Sequence, residues 1–437
     1  MATMCWSAED IARARSDTPG LHSSHRRGAG IHLNAAGSSL LPSTVTDTVV
    51  SYLREEALRG GYETADAHEA EISDVYEAIG EMLHCESSEV ALSESATVSW
   101  DSAFFSLPWA DGDRVCIGKA EYASNAIAIL NLKQRKNIEV VEIADDSSGQ
   151  FDLSALSAAL QDDLTAKRRR MTVVSMTHVP TNGGLINDAE WCGRIIEEHN
   201  ARVAAAGLCR VDGIDSTIFL LDACQSCGQI DLDVRRLKCH FLSVTGRKYL
   251  RAPRGTGFLY VTKRLLNRGF LNPMYADLRS ASWLGKDQFE LASTAKCFEL
   301  WESSIACRLG LGAAVRYALQ IGLPNAEKRI QALASLLRGQ LRELPTVTVR
   351  DKGGARQGGI VSFTCQSAAG KAIPADRVKS MLSERGVDVS VSSAASTLID
   401  MRERGIDAVV RASVHYYNTE EEMTLFVGVL RDVLENV

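Results

Sequence analysis

The sequence predicts an α/β fold in which a mostly parallel central sheet carries helices on both faces, with a smaller α/β domain at the C-terminal end. Three features of the chain lead there. Short β-branched or apolar runs at 115–117, 140–143, 172–176, 217–221, 241–244 and 257–261 alternate with helical segments, and parallel strands need such helical crossovers. Unusual polar residues fall just after these runs, at the edge where ligands collect in sheets of this kind. A long amphipathic stretch at 301–344 then leads into two further apolar runs, 346–349 and 360–363.

Taken in chain order, residues 1–31 are rich in Ser, His, Arg and Gly and read as a weakly ordered arm with a short helix at 8–15. The segment His32-Leu33-Asn34-Ala35-Ala36-Gly37, followed by Pro42, reads as a turn, and apolar residues at helical spacing make 45–58 a helix. The irregular, Gly- and Ala-containing segment 201–216 reads as a surface insertion. The expected division is a large domain over 32–310, whose first part contributes to the small domain, and a small C-terminal domain over 311–437. No internal repeat or low-complexity tract interrupts it.

Composition narrows the function classes. A chain of 437 residues, 45% hydrophobic and 24% charged, is long enough for more than one core. Its formal charge of -7 offers no basic field to nucleic acid. Eleven cysteines without metal-ligand spacing fit reduced thiols, no metal site and a cytoplasmic location. No apolar run approaches the roughly 20 residues that cross a bilayer. The first thirty residues mix Glu9, Asp10 and Asp17 with Arg13, Arg15, Arg26 and Arg27, which gives a transit peptide little support.

The most informative segment is Ser243-Val244-Thr245-Gly246-Arg247-Lys248-Tyr249-Leu250, with a Gly-rich turn into the next strand after it. A lysine directly behind a strand end puts its amine in the crevice, where burial and neighbouring cations lower its pKa and allow a Schiff base with an aldehyde cofactor. One strand earlier, Leu221-Asp222-Ala223-Cys224-Gln225 ends an apolar run with an acid. Taken alone, such an Asp caps the following helix. Beside Lys248 it reads as the partner of a pyridinium N–H, which would keep that ring protonated and electron-withdrawing.

Together these segments resemble the class V aminotransferase family, fold-type I enzymes that use pyridoxal 5′-phosphate (PLP) and include cysteine desulfurases and isopenicillin-N-epimerase-like proteins. The likeness runs from Leu33 to the end of the chain. It implies Asp222 at the pyridine nitrogen, Gln225 at the ring hydroxyl, Thr245 and Arg247 at the phosphate, and Lys248 as the catalytic imine lysine. Ser93-Glu94-Ser95-Ala96-Thr97 is similar to the family's phosphate loop; a helix start there favours a dianion, and Ser95, Ala96 and Thr97 supply donors. Tyr122, in Glu121-Tyr122-Ala123-Ser124-Asn125, stands where many relatives stack a His on the cofactor; its ring stacks equally well but shuttles protons poorly near neutral pH. Thr177-His178-Val179-Pro180-Thr181-Asn182-Gly183-Gly184 resembles the substrate-side loop, giving Thr181 or Asn182 to the ring hydroxyl or substrate carboxylate and leaving His178 structural.

The same likeness extends to substrate and partner. The run Val410-Arg411-Ala412-Ser413-Val414-His415-Tyr416-Tyr417-Asn418 resembles the C-terminal signature whose arginine forks onto a substrate α-carboxylate, a task suited to a planar guanidinium. Asn34 matches the N-terminal asparagine near that carboxylate. Ser303, in Phe298-Glu299-Leu300-Trp301-Glu302-Ser303, matches a segment that reaches the neighbouring subunit's phosphate, which implies a homodimer with shared sites. Cys224 and Cys227 read as packing residues, and Glu420-Glu421-Glu422 as an acidic helix start.

Desulfurases of this family carry a nucleophilic cysteine on a loop before the C-terminal arginine. Here that stretch, Val387-Asp388-Val389-Ser390-Val391-Ser392-Ser393-Ala394-Ala395-Ser396-Thr397, has serines and no cysteine. The resemblance is greatest to lyases that cleave cysteine S-conjugates or their sulfoxides, as in ergothioneine-type pathways, and implies β-elimination on a small amino-acid substrate. Class V transamination, desulfurase-like chemistry, epimerisation and an inactive PLP-binding scaffold are the competing readings.

Overall fold

The computed structural model describes residues 6–24, 28–166, 172–209, 217–354 and 356–435. The central sheet has seven strands: β1 (Val90–Ser93), β2 (Arg114–Gly118), β3 (Glu139–Ile143), β4 (Thr172–Thr177), β5 (Thr217–Asp222), β6 (Phe241–Thr245) and β7 (Gly257–Val261). They lie in the order β1-β7-β6-β5-β4-β2-β3. The β3, β2, β4, β5 and β6 neighbours pair in parallel, whereas β7 runs antiparallel to both β6 and β1. Each predicted run in this region became a strand. Their residues are buried on both faces: Phe219 and Leu221 of β5 pack into one core while Ile218 and Leu220 pack into the other, as expected for a sheet clad by helices on two sides.

The second sheet joins Val347–Val349, Ile360–Gln366, Ala408–Ser413 and Ser390–Ser393 in that spatial order. The helices Ile305–Ile321 and Leu323–Arg342 connect the two sheets. The chain near residue 32 returns to the second sheet's side of the molecule, because Ile31 and His32 pair in parallel with Val387 and Asp388, and Asn34 bridges Ser413. That return brings the Asn34 turn and the Arg411 strand beside the carboxyl edge of the large sheet.

Two expectations change. The described part of the N-terminal arm is docked. Helix Ala8–Ser16 starts with a reciprocal Ser7–Asp10 capping box. Trp6 stacks on Tyr416 and donates to the Asn325 carbonyl, while Arg15 donates to the Tyr417 carbonyl and Glu422. One aromatic and one guanidinium anchor a segment whose overall composition reads as loose. The supposed insertion at 201–216 begins inside a helix: Ala201–Ala205 complete Ala189–Ala205, held by buried Val203. Gly207 at φ +65° then closes it, with the Leu208 N–H donating back to the Val203 carbonyl. Residues 210–216 lie outside the described residues, as do Arg26 and Arg27. Among the described residues no helix is long and apolar enough to cross a membrane, and no cluster of His, Cys, Asp or Glu has metal-site geometry.

Candidate active site

Lys248 sits in a tight turn between β6 and β7. Gly246 donates to the Thr256 carbonyl, Ala252 donates to the Gly246 carbonyl, and Arg251 donates to the Lys248 carbonyl. Glycine is needed at 246 because a Cβ there would run into Thr256 Oγ1 and the Ala252 methyl. The loop is tied to the N-terminal turn as well: Arg247 donates to the Gly37 carbonyl and Ser39 to the Arg247 carbonyl. Lys248 is 8% exposed, and among the described residues no carboxylate stands within ion-pairing distance of its amine. Burial pushes its pKa down; Cys224 and Asp222 oppose this, and the nearby Arg247 and Arg411 add to it.

Asp222, at the end of β5, faces the same cavity. Its Oδ1 accepts from the Cys224 N–H at 2.9 Å and its Oδ2 from Asn125 Nδ2 at 3.1 Å. The cavity, about 380 Å³ of atom-free space, is lined by Ala96, Thr97, Tyr122, Thr181, Asp222 and Lys248, with Asn125, Cys224 and Gln225 completing its wall. The Tyr122 ring centroid is 5.9 Å from Lys248 Nζ, so the ring face flanks the space the lysine reaches. A larger open groove at Tyr52, His68 and Arg316 holds none of these groups; chemistry therefore favours the smaller cavity.

At one end of this space, helix Ala96–Phe105 begins behind the N-cap Ser95, whose hydroxyl accepts from the Val98 N–H. Ser95 is thus a cap, while Ala96 and Thr97 border the cavity at the helix's positive end. Thr245 ends β6, buried. Gln225 donates from Nε2 to the Ala36 carbonyl and Thr181 Oγ1, both at 3.2 Å, but its buried Oε1 has no partner. A buried acceptor without a donor is costly unless a ligand completes it.

Arg411 approaches from the second sheet. It is 7% exposed, and it donates to the Thr181 carbonyl at 3.0 Å, Thr181 Oγ1 at 2.7 Å and Ser390 Oγ at 3.1 Å. All its partners are neutral. Burial lowers its pKa to about 10, so it stays cationic at neutral pH, a buried charge lacking an anion. The buried Oδ1 of Asn34 is also without a partner, close against Gly37.

Two expected ligands stand elsewhere. Asn182 is spent on the second sheet: its Nδ2 donates to Thr397 Oγ1 at 2.7 Å, its Oδ1 accepts from Ser392, and its carbonyl accepts from Ser362 Oγ. It is not free for a ring hydroxyl or carboxylate, and it tethers the loop 387–397 instead. Ser303 lies on the extended segment before helix Ile305–Ile321, outside this chain's own cavity. His178 is a buried structural residue, its pKa pushed to about 3 by burial. Cys227 packs in the core as expected, but Cys224 also borders the cavity. Sequence reasoning missed one participant, Asn125, which sits in the first turn of the helix that starts behind Tyr122.

The donor set matches pyridoxal phosphate: a helix start with Thr97 for a phosphate, an aromatic face, a carboxylate for a ring nitrogen, an unfilled Gln225 acceptor and an unpaired buried amine. This is the architecture of a lysine-anchored cofactor enzyme on a fold-type I scaffold. The profile described as Aminotransferase class-V matches residues 31–426; the chain belongs to that family. A probable cysteine desulfurase of Pyrococcus abyssi is 25% identical over 93% of this chain and 95% of its own length. Another from Streptomyces coelicolor is 26% identical over 97% of each. Among solved structures, the apo cysteine desulfurase of Thermococcus onnurineus covers 100% of both chains at a TM-score of 0.82 and 23% identity. The cystine C-S lyase C-DES, in complex with its product cysteine persulfide, covers 95% of this chain and 99% of its own at 0.78 and 21%.

Proposed function

We propose that this protein is a PLP-dependent carbon–sulfur lyase that acts by β-elimination on a cysteine S-conjugate or its sulfoxide. The observation that carries the reading is a buried, anion-free Arg411 within reach of Lys248's surroundings, beside a loop at 387–397 without a thiol. Bound in the cavity, PLP would supply an aldehyde for the substrate amine and a ring that draws electron density from Cα.

The protein's own groups divide the remaining work. Arg411 binds the α-carboxylate, aided by Asn34, and so fixes which Cα bond faces Lys248. Asp222 would hold a proton at the ring nitrogen, and the Tyr122 face would stack on the ring. Thr97, Ala96, Thr245 and Arg247 would bind the phosphate, while Thr181 and Gln225 would meet the ring hydroxyl. The Lys248 amine, depressed toward its neutral form by burial, takes the Cα proton. The Cβ–S bond then breaks, the electron pair leaving with sulfur, and water converts the released aminoacrylate to pyruvate and ammonia. A sulfenate leaves with little acid assistance, which suits a site with Tyr122 in place of His.

Transfer of sulfur to an enzyme cysteine, as desulfurases of the resemblance perform, lacks its nucleophile: of the described cysteines only Cys224 borders the cavity, and it is buried with its pKa raised well above the ordinary thiol range by burial. Exposed Trp283, Leu284 and Phe289 on the hairpin formed by Ala281–Gly285 and Gln288–Leu291 support the homodimer in which Ser303 serves the neighbouring site. The test is direct. PLP-loaded protein incubated with S-alkyl-cysteine sulfoxides should release pyruvate and ammonia in equal amounts; amino-group transfer to a keto acid, or Cα hydrogen exchange without pyruvate, would favour the transaminase or epimerase reading.

A further inference from the structure

Behind the Asp222 carboxylate lies a second, fully buried one that the reading above leaves idle. Glu121 is 4% exposed and accepts four hydrogen bonds: from the Tyr122 N–H at 2.9 Å, Asn125 Nδ2 at 2.9 Å, Ser175 Oγ at 2.7 Å and Thr177 Oγ1 at 2.9 Å. All four contacts can be donated to the carboxyl, while burial and the neighbouring Asp222 charge push its pKa up against them. Asn125 uses the same amide nitrogen to reach Asp222 Oδ2 at 3.1 Å. One neutral amide thus links two buried carboxylates in a line pointing into the cavity.

We propose that Glu121 is a positioning residue that acts through Asn125 on Asp222, fixing that carboxylate's orientation. The inference rests on Asp222 meeting a bound pyridinium, as proposed above. Three properties favour it over simple helix capping. Ser175 and Thr177 come from β4, so the clamp ties a strand to a helix start. The Tyr122 N–H is bound by the same carboxylate, so the stacking ring and the acid share one anchor. Capping alone is satisfied by one or two of these bonds and needs no buried acid.

Loosening the Asp222 carboxylate leaves a protonated, lysine-bound cofactor less favoured, so the pH at which it loses its proton falls. The other charged or titratable groups facing Lys248 are Asp222, Cys224, Arg247, Arg411 and the Tyr122 phenol, and all remain in place. The experiment is a spectral pH titration of PLP-loaded wild type, Glu121→Gln, Glu121→Asp and Asn125→Ala, with thermal melting of each. Glu121→Gln and Asn125→Ala should lower the midpoint by about 0.5 pH unit or more, the scale of a weakened contact to one buried charge, and should weaken PLP binding; Glu121→Asp should restore part of both. Wild-type midpoints in Glu121→Gln and Asn125→Ala, whatever their melting temperatures, would overturn the inference. If Glu121→Gln does not fold, Asn125→Ala decides alone, because it leaves the acid in place and removes only the link. A wild-type protein that gives no lysine-bound PLP band would instead overturn the cofactor reading.

Discussion

The floor of the cavity and its substrate rim are built on opposite plans. On the floor, Asp222 has both carboxylate oxygens occupied and Glu121 has four donors, all from the large sheet and the helix that starts after Tyr122. On the rim, Arg411 has only neutral partners and Asn34 keeps an unsatisfied buried oxygen, and both come from the second sheet's side. A satisfied network is rigid and costs little to keep ready, whereas an unsatisfied buried cation gains most when an anion arrives. The contrast teaches which part is preorganised for a resident group and which is reserved for one that comes and goes.

Substitutions that separate floor from rim should therefore separate cofactor effects from substrate effects. Lys248→Ala should have the largest effect, lowering turnover by about a thousandfold, the scale of a lost acid–base group, together with loss of the visible band of lysine-bound PLP. Arg411→Gln should come next: kcat/KM for a cysteine conjugate should fall about 100-fold or more, equivalent to about 3 kcal/mol for a desolvated ion contact, with PLP affinity unchanged. If Arg411→Gln instead sheds the cofactor, the division between floor and rim fails. Asn182→Ala, which frees the 387–397 loop, should cost about tenfold in kcat/KM, the scale of one or two buried hydrogen bonds, and Ser392→Ala less.

The smallest effect is one of pH. Burial lowers the Lys248 pKa, so its amine is neutral, and ready to react with an aldehyde, at a lower pH than an ordinary lysine near about 10.4. The rate at which apoprotein takes up PLP should rise with pH and level off below that value. A rate still climbing through the ordinary lysine range in stopped-flow absorbance would show that the floor does not depress this amine.

Much of the floor was legible because strand ends carry it. Short β-branched runs mark β4 to β7, and the parallel rhythm puts Asp222 and Lys248 on one edge without any knowledge of side-chain contacts. The Tyr122 position followed likewise from a strand end. What escaped depends on packing between distant segments. Asn182 has the composition of a substrate ligand, and only the approach of Ser392 and Thr397, more than two hundred residues away in sequence, reveals it as a tether. Glu121 and Asn125 were in view as neighbours of Tyr122, but the two strand hydroxyls that make Glu121 a clamp come from β4, and no local pattern announces them. The docked arm was misread for a similar reason: its anchors, Trp6 and Arg15, are single residues whose partners lie near the far end of the chain.

The covalent assignment is tested most directly by reducing PLP-loaded protein with borohydride and mapping the labelled peptide. The account predicts one pyridoxyl group, on Lys248. A label on any other lysine, or no label in protein that binds PLP, would contradict it.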